Sequence, residues 1–437
     1  MKRIVISQKP TYKKVAEDVD FYGLFQQIEK KYDTCFILES LGEQTHESRY
    51  STIGFDPTSI ITPSTIKSKN PYYTLKDMMP TNILSRDYAG GLVGYLSYEA
   101  INYMEPAVNL PEHKDFETFM FGVYTDGLVY DKVTGELFYF YYDTNRYDEI
   151  EPLLHQSVVS HKNVTVTFEG YSLSEKKHAE MVDRIKKDIT DGRIFQAVVG
   201  MKARYNIQGD YLNIYSKLRD GNPSPYMYYL KFDKHIIIGA SPELLFRMRS
   251  GLMETFPLAG TVGRGTNPSE DRTLARSLIR DPKEQAEHKM LVDLHRNDMG
   301  RVARFNTVRV NKLMDIKSFS HVQHISSEIT GMISPEEDMF SAVASTFPAG
   351  TLTGAPKIEA MKIIAREEKE PRGLYGGAVG HFGFNGDCTF AIAIRSLFIC
   401  DTKVYAQAGS GIVADSVAHK EYEELKKKLK AMEVALL

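Results

Sequence analysis

A chain of 437 residues, 42% hydrophobic and 25% charged, has the composition of a soluble globular protein and enough length for two domains or one large composite core. Its 57 acidic and 54 basic residues leave a net charge of −3, and no long basic run appears, so nucleic acid is not an expected partner. No apolar stretch nears the roughly 20 residues of a membrane span, and the run in MKRIVISQKP is too short for a secretory signal. Cys35, Cys388 and Cys400 show neither paired nor metal-type spacing, which fits a reducing cytoplasm.

Residues 1–165 read mostly as strands with short helices. FYGLFQQIEKKY predicts an amphipathic helix and TCFILES a strand. YAGGLVGYLSYEA reads as a Gly-rich strand pair. FGVYTDGLVYDKVTGELFYFYYD reads as two or three strands turning at Asp126-Gly127 and Thr134-Gly135. A soft boundary is expected near 165, separating an N-terminal sheet portion (1–165) from a second portion (166–437). Ser172 and Glu175 suggest a capping box. The helix after it carries Met181, Val182, Ile185 and Ile189 on one face and stops at Gly192. FQAVVGMKARYNI predicts a strand, YLNIYSKLRD a helix, and NPSPYM a proline turn entering a strand. KHIIIGASPELLFRMRSGLMETFPLAGT reads as three strands, with two helices after it. Beyond HVQHISSEITGMI come a helix, the loop FPAGTLTGAPK and another helix. Strands GGAVGHFGF, CTFAIAIRSLFI and KVYAQAGSGIV and a last acidic helix close the chain. Strands in runs and helices in pairs predict an α+β fold, not regular βαβ units.

The second of the two mid-chain helices, Asp281 to Arg301, is the acidic one. Pro282 suits a first helical turn, and Met290, Leu291 and Leu294 form an apolar stripe. Glu284 and Glu287 are three residues apart, so their carboxylates share a face; Glu421 and Glu424 repeat the spacing near the C-terminus. Two such pairs on separate helices can supply oxygen ligands to a hard divalent cation such as Mg2+. From spacing alone, two solvated Glu- and Lys-rich faces are the commoner explanation. Gly409-Ser410-Gly411, after a strand and before a helix, offers backbone N–H groups to an anion, and Gly260-Thr261 is a similar candidate. For either one taken singly, an ordinary glycine turn is the commoner explanation.

Over about residues 165–435, DGRIFQAVV, ASPELLFR, PLAGT, KEQAEHKMLVDLHRNDMGR, FPAGTLTGAPK, YGGAVGHF, AIAIRS and GSGIVADSVAHKEYEE occur in the order found in chorismate-utilising enzymes. The chain resembles that family, and within it the branch that makes anthranilate. The resemblance implies a two-part α/β sandwich of antiparallel sheets with outer helices. It implies Glu287 and Glu424 as Mg2+ ligands, with Glu284 and Glu421 as nearby or water-mediated partners. Gly260, Thr261, Tyr375, Arg395 and Gly409, Ser410 and Gly411 match chorismate-binding positions. Glu243 matches the acid that assists loss of the C4 hydroxyl, and His324 the histidine tied to pyruvate elimination, with Thr351 in the same pocket. His321 competes with His324, which is preferred on motif position. The departures from the family pattern, such as GSG for GAG, remove none of these groups.

Two positions choose among relatives. Gln196 stands where water-using members carry a lysine base, and a neutral amide can hydrogen-bond ammonia but cannot deprotonate water. Ala259 stands where enzymes making the 4-amino product carry an attacking lysine. The implied reaction is amination at C2 followed by pyruvate loss. Leu38-Glu39-Ser40 and NPSPYM resemble the family's L-tryptophan feedback site, which carries over to Ser40, Pro225, Tyr226 and Met227, with Glu39 and Tyr50 lining it. A catalytically silent tryptophan sensor is the rival of another class. No cysteine lies in the sharp Gly-flanked turn of a glutaminase nucleophile, so a separate glutamine amidotransferase subunit is expected to deliver ammonia, making a hetero-oligomer.

Overall fold

Among the described residues, strands rich in Val, Ile, Tyr and Phe pair only antiparallel, and they build two sheets. The computed structural model describes residues 3–15, 19–41, 49–85, 88–156, 163–319 and 322–436. The first sheet runs β1 (Thr11–Lys14), β8 (Glu136–Tyr141), β7 (Asp126–Asp131), β3 (Tyr50–Phe55), β2 (Thr34–Glu39), β11 (Tyr226–Phe232), β12 (His235–Ser241), β21 (Ser396–Cys400), β22 (Lys403–Ile412), β10 (Gln196–Gly209) and β18 (Gly354–Ala355), with β9 (Val164–Tyr171) also on β10. The second runs β15 (Leu258–Gly263), β17 (Val322–Met332), β14 (Leu252–Thr255), β13 (Leu244–Arg249), β20 (Cys388–Ile392), β19 (Ala378–Gly383), β5 (Gly91–Leu96), β6 (Phe119–Tyr124) and β4 (Ser59–Ile61), with β16 (Arg309–Ser318) on β17.

Side-chain alternation in the first sheet makes two cores. Phe36 of β2 and Ile237 of β12 point inward, into a cluster shared with Phe121, Phe246 and Phe390 of the second sheet. Their neighbours Cys35, Ile37, Ile236 and Ile238 point outward, against α1 (Phe21–Lys31), α5 (Tyr211–Gly221) and α10 (Ala418–Leu436). Burying each such side chain contributes roughly 1.5–3 kcal/mol. Helices α4 (Glu175–Thr190) and α9 (Lys357–Glu367) cover the end of β10 through Met181, Val182, Ile185, Ile363 and Ile364. The remaining helices are α2 (Pro71–Met78), α3 (Tyr147–Ile150), α6 (Pro268–Arg280), α7 (Pro282–Gly300) and α8 (Met339–Thr346). No described helix is long and apolar enough to cross a membrane.

The sandwich of antiparallel sheets with outer helices agrees with the expected α+β class. The division near 165 does not separate sheets, since each sheet takes strands from both sides of it, joining at β2–β11 and at β5–β19. Several local expectations need correction. Asp126-Gly127 is not a hairpin turn: only Thr125 separates β6 from β7, and the chain changes sheet there. CTFAIAIRSLFI is likewise two strands, β20 and β21, in different sheets, so Arg395 sits at a crossing and not inside a strand. YAGGLVGYLSYEA forms one strand, β5, and a 3-10 turn over Tyr98–Tyr103. The stretch 235–263 makes four strands, β12 to β15, instead of three. The N-cap of α4 is Ser174, whose hydroxyl accepts the Lys177 N–H; Ser172 instead accepts the Lys202 N–H. HVQH enters strand β17, and His321 lies outside the described residues.

Helix α7 begins and ends where predicted. Asp281 caps it by accepting the N–H groups of Lys283 and Glu284, and Pro282 is its first residue. Its buried face is more polar than expected: Leu291, Val292 and Met299 alternate with His288, His295 and Asp298. His288 Nε2 meets Ser327 Oγ at 2.7 Å and His295 Nδ1 meets Thr255 Oγ1 at 2.8 Å, which sets the rotation of the helix on the second sheet. Asp298 accepts from Lys357 Nζ at 2.6 Å, both side chains being at most 10% exposed, and so ties α7 to the start of α9. Lys357→Met leaves a buried carboxylate without its cation. Chemical denaturation is expected to show a loss of about 3–5 kcal/mol, with part of it recovered when Asp298→Asn is added.

Candidate active site

Glu243 occupies the short link where the chain leaves β12 in one sheet for β13 in the other. Ser241 Oγ braces the link, accepting the Glu243 N–H and donating to its carbonyl. A second crossing, β20 to β21, runs beside it. The Ile392 N–H donates to Glu243 O at 3.0 Å, and the Ala240 N–H donates to Arg395 O at 3.1 Å. Two links tied in this way place the Glu243 carboxyl and the Arg395 guanidinium in one neighbourhood.

Burial pushes the Glu243 carboxyl up to about 7, against the opposing pull of the Thr351 hydroxyl, the Leu258 N–H and the Arg395 charge. Thr351 Oγ1 donates to Glu243 Oε1 at 3.0 Å. Arg395 holds a left-handed backbone (φ 50°), and burial depresses its pKa while Glu243 partly offsets that. Its guanidinium makes no hydrogen bond among the described residues. A half-buried cation in that condition suits an anionic ligand.

His324 lies on β17 opposite Thr261 of β15. The pairing slips between Ala259 and Thr261, and Gly260 takes φ 61° in the bulge. That turns the Gly260 carbonyl toward His324, whose Nδ1–H donates to it at 2.8 Å, with Thr261 Oγ1 3.1 Å from the same nitrogen. Nε2 then carries the lone pair, and it is buried without a protein partner. Burial, opposed by the Gly260 hydrogen bond and helped by nearby Arg395 and Lys428, lowers the His324 pKa to about 4. The imidazole is neutral at neutral pH.

The two acidic ridges face one another. Burial raises the pKa of Glu284, as do Glu287 and Asp281 on its own helix and Glu424 on α10. Burial also raises Glu421, together with Glu424, while Ser416 and the cations Lys283 of α7 and Lys428 oppose the shift. Gly260 belongs to this group: a Cβ there would lie 2.8 Å from Glu284 Oε2. Gln196 Nε2 donates to Glu287 Oε1 at 3.0 Å. Lys428 Nζ lies 2.6 Å from Glu424 Oε1 and donates to Gly409 O at 2.8 Å. No group of three or more His, Cys, Asp or Glu side chains is already gathered as a metal cage among the described residues. Four carboxylates on two facing helices, of which Glu284 and Glu421 are raised by burial and by their acidic neighbours, nevertheless fit a hard dication that would draw them together.

Gly409, Ser410 and Gly411 are not the expected turn. They continue β22, opposite Gly200, Val199 and Val198 of β10. Their small size serves close approach: a Cβ on Gly409 would meet the Tyr375 hydroxyl at 2.6 Å, and one on Gly411 would meet Gln196 Nε2 at 2.5 Å. Tyr375 is 3% exposed, and the buried Ser410 hydroxyl has no partner. Gln196, Glu287, Gly411, Gly409, Tyr375, Lys428 and Glu424 thus form one continuous wall. Lys428 was not foreseen, although it follows Glu424 by one helical turn.

The residues resembling a tryptophan site gather at the N-terminal end of β11. Met227 pairs with Glu39, and the Leu41 N–H donates to Ser224 O. Glu39 accepts from Tyr215 at 2.7 Å and from Arg219 at 2.9 Å. The Ser40 hydroxyl is buried without a partner, and Pro225 precedes Tyr226 at the strand entry. Tyr50 is on β3, opposite Asp131. Tyr226 pairs with Ser241, so this cluster and Glu243 meet the same end of β12.

Comparison with known proteins gives the family and the fold. The family described as "chorismate binding enzyme" matches residues 33–434. Anthranilate synthase component 1 of Leptospira biflexa is 49% identical, covering 99% of this chain and 97% of that protein. The protein of the same name from Methanothermobacter thermautotrophicus is 41% identical, covering 96% and 94%. Among solved structures, anthranilate synthase component I from Streptococcus pneumoniae superposes with a TM-score of 0.79 at 30% identity, covering 90% of this chain and 94% of that one. The menaquinone-specific isochorismate synthase of Escherichia coli, with a TM-score of 0.78 at 18% identity over 99% and 96% of the two chains, shares the fold. The chain belongs to the chorismate binding enzyme family.

Proposed function

We propose that the chain is the aminase of anthranilate synthesis, converting chorismate and ammonia to anthranilate, pyruvate and water, the first step toward tryptophan. The observation that carries this reading is the contrast between two buried groups: Glu243, whose carboxyl is raised to about 7, and His324, a neutral imidazole with a free Nε2. Ammonia attacks C2 as the C4 hydroxyl departs. Hydroxide leaves poorly, and Glu243, in large part still protonated near neutrality and oriented by Thr351, donates the proton that turns it into water. Removal of the C2 proton then restores the aromatic ring as the enolpyruvyl group leaves, and His324 Nε2 is the base with a lone pair available for it. Arg395 and Tyr375 hold the carboxylates of the substrate. Gln196 orients ammonia without deprotonating water. Glu287 and Glu424, with Glu284 and Glu421, would hold Mg2+, which when bound supplies charge neutralisation at the ring carboxylate.

The same reading includes two partners. Glutamine-derived ammonia comes from a separate amidotransferase subunit; Cys35 and Cys388 are buried with raised thiol pKa values, unsuited to glutaminase chemistry. L-Tryptophan inhibits by binding at Glu39, Ser40, Tyr50 and Pro225 to Met227. Its differential affinity for two states of the β11–β12 end is what regulation would require. The place of work is the cytoplasm.

The purified chain with chorismate, Mg2+ and ammonium salts is expected to yield fluorescent anthranilate, to lose that activity on chelation, and to form none from glutamine alone. A 4-amino product or no product overturns the assignment.

For Glu243, the proton-donating form predominates below pH 7, so turnover falls as pH rises through that value. Glu243→Gln is expected to lower kcat by about 10²–10⁴-fold. The same substitution carries a stability signature. The carboxyl ionises near 4.5 when unfolded and near 7 when folded, so wild-type stability declines between those values. The mutant lacks that titration and should gain on the order of 3 kcal/mol relative to wild type between pH 4.5 and 8. Parallel melts at the two pH values check it.

Ser40→Phe fills the space beside the unpartnered hydroxyl. Inhibition curves are expected to show loss of tryptophan sensitivity with the uninhibited rate retained; unchanged inhibition removes the site.

A further inference from the structure

Arg372 is an arginine only 2% exposed, and its partner Glu368 is 8% exposed. The guanidinium donates from Nε to Glu368 Oε2 at 2.9 Å and from Nη2 to Glu368 Oε1 at 2.7 Å. Nη2 also donates to Val198 O and Nη1 to Leu352 O, each at 2.7 Å. The plane lies 4.4 Å from the Tyr98 ring centroid and 5.7 Å from that of Tyr375. Glu368 Oε1 in turn accepts the Gly200 N–H at 2.8 Å. Each of these anchors adjoins the wall described above. Leu352 follows Thr351, the hydroxyl that orients Glu243. Val198 and Gly200 pair with Gly411 and Gly409. Tyr375 places its hydroxyl against Gly409.

Burying this ion pair brings little stability over an apolar filling of the same volume. What a planar, multiply donating cation adds is direction: it fixes two carbonyls, one carboxylate and two rings in a single frame. We propose that Arg372 and Glu368 are a positioning pair for the reaction, setting the Thr351–Glu243 proton donor and the Tyr375–Gly409 wall in register. Neither touches the reacting atoms. The inference rests on the amination reading of this site.

The test uses the full chain with chorismate, Mg2+ and ammonium, and the variants Arg372→Lys and Glu368→Gln. Lysine keeps the charge but cannot hold both carbonyls and both carboxylate oxygens. With folding verified by circular dichroism, kcat is expected to fall by about 10²-fold, the scale of a misplaced catalytic group. The alkaline limb of the kcat profile should move to higher pH, because a displaced Thr351 no longer donates to the Glu243 carboxylate. A purely structural pair would lower the melting temperature and leave the limb in place. Folded variants with wild-type kcat and an unmoved limb overturn the proposal. If neither single variant folds, the double variant R372M/E368L, which removes both charges together, is read in the same way, and failure of all three to fold also overturns it. Wild type making no anthranilate in the same assay fails the amination reading itself, and the proposal falls with it.

Discussion

Two backbone hydrogen bonds, from Ile392 to Glu243 and from Ala240 to Arg395, tie together two of the links by which the chain passes between the sheets. The chemistry of the site depends on that lacing. A strand inside a sheet presents alternate side chains to solvent or core, whereas a link between sheets can aim a side chain into the gap at a sheet end. Glu243 and Arg395 both sit on such links. Thr351 and Tyr375 reach the same place from the loops on either side of α9.

The electrostatics follow from that placement. Desolvation raises a buried carboxyl and lowers a buried imidazole, so the same dry surroundings keep a large fraction of Glu243 protonated and His324 neutral near pH 7. Arg395 bears on both, pulling Glu243 down and His324 down. It narrows the rise of the acid and deepens the fall of the base. At the open side, Gln196 and Lys428 occupy Glu287 and Glu424, an amide on one carboxylate and a cation on the other. A dication on those carboxylates would compete with both contacts, and Lys428 also holds the Gly409 carbonyl of β22.

The cluster at Glu39, Ser40 and Tyr226 lies one strand pairing from Ser241, and Ser241 braces Glu243 directly. A ligand bound there would lie one strand end away from Glu243.

Much of this was legible in the order of residues. The limits of α7, its Asp281 cap, the paired carboxylates on α7 and α10, and the alternating strands all arise from local backbone hydrogen bonding and side-chain period, which a short window contains. Gly260 was marked, though for a turn and not for a bulge. Other features were hidden because they rest on long-range pairing. CTFAIAIRSLFI shows unbroken strand character, yet it changes sheets at Arg395, and nothing within twelve residues distinguishes that from one long strand. Gly409 to Gly411 resemble a turn, yet pairing with β10 keeps them extended, and only the approach of Tyr375 and Gln196 explains why side chains are missing there. His288 and His295 read as polar breaks in the stripe of α7 until Ser327 and Thr255 supply their partners. The sequence by itself determined which elements form and which charges they carry. The tertiary structure alone decided which sheet each strand joins and which groups lose their water, because both depend on residues hundreds of positions apart.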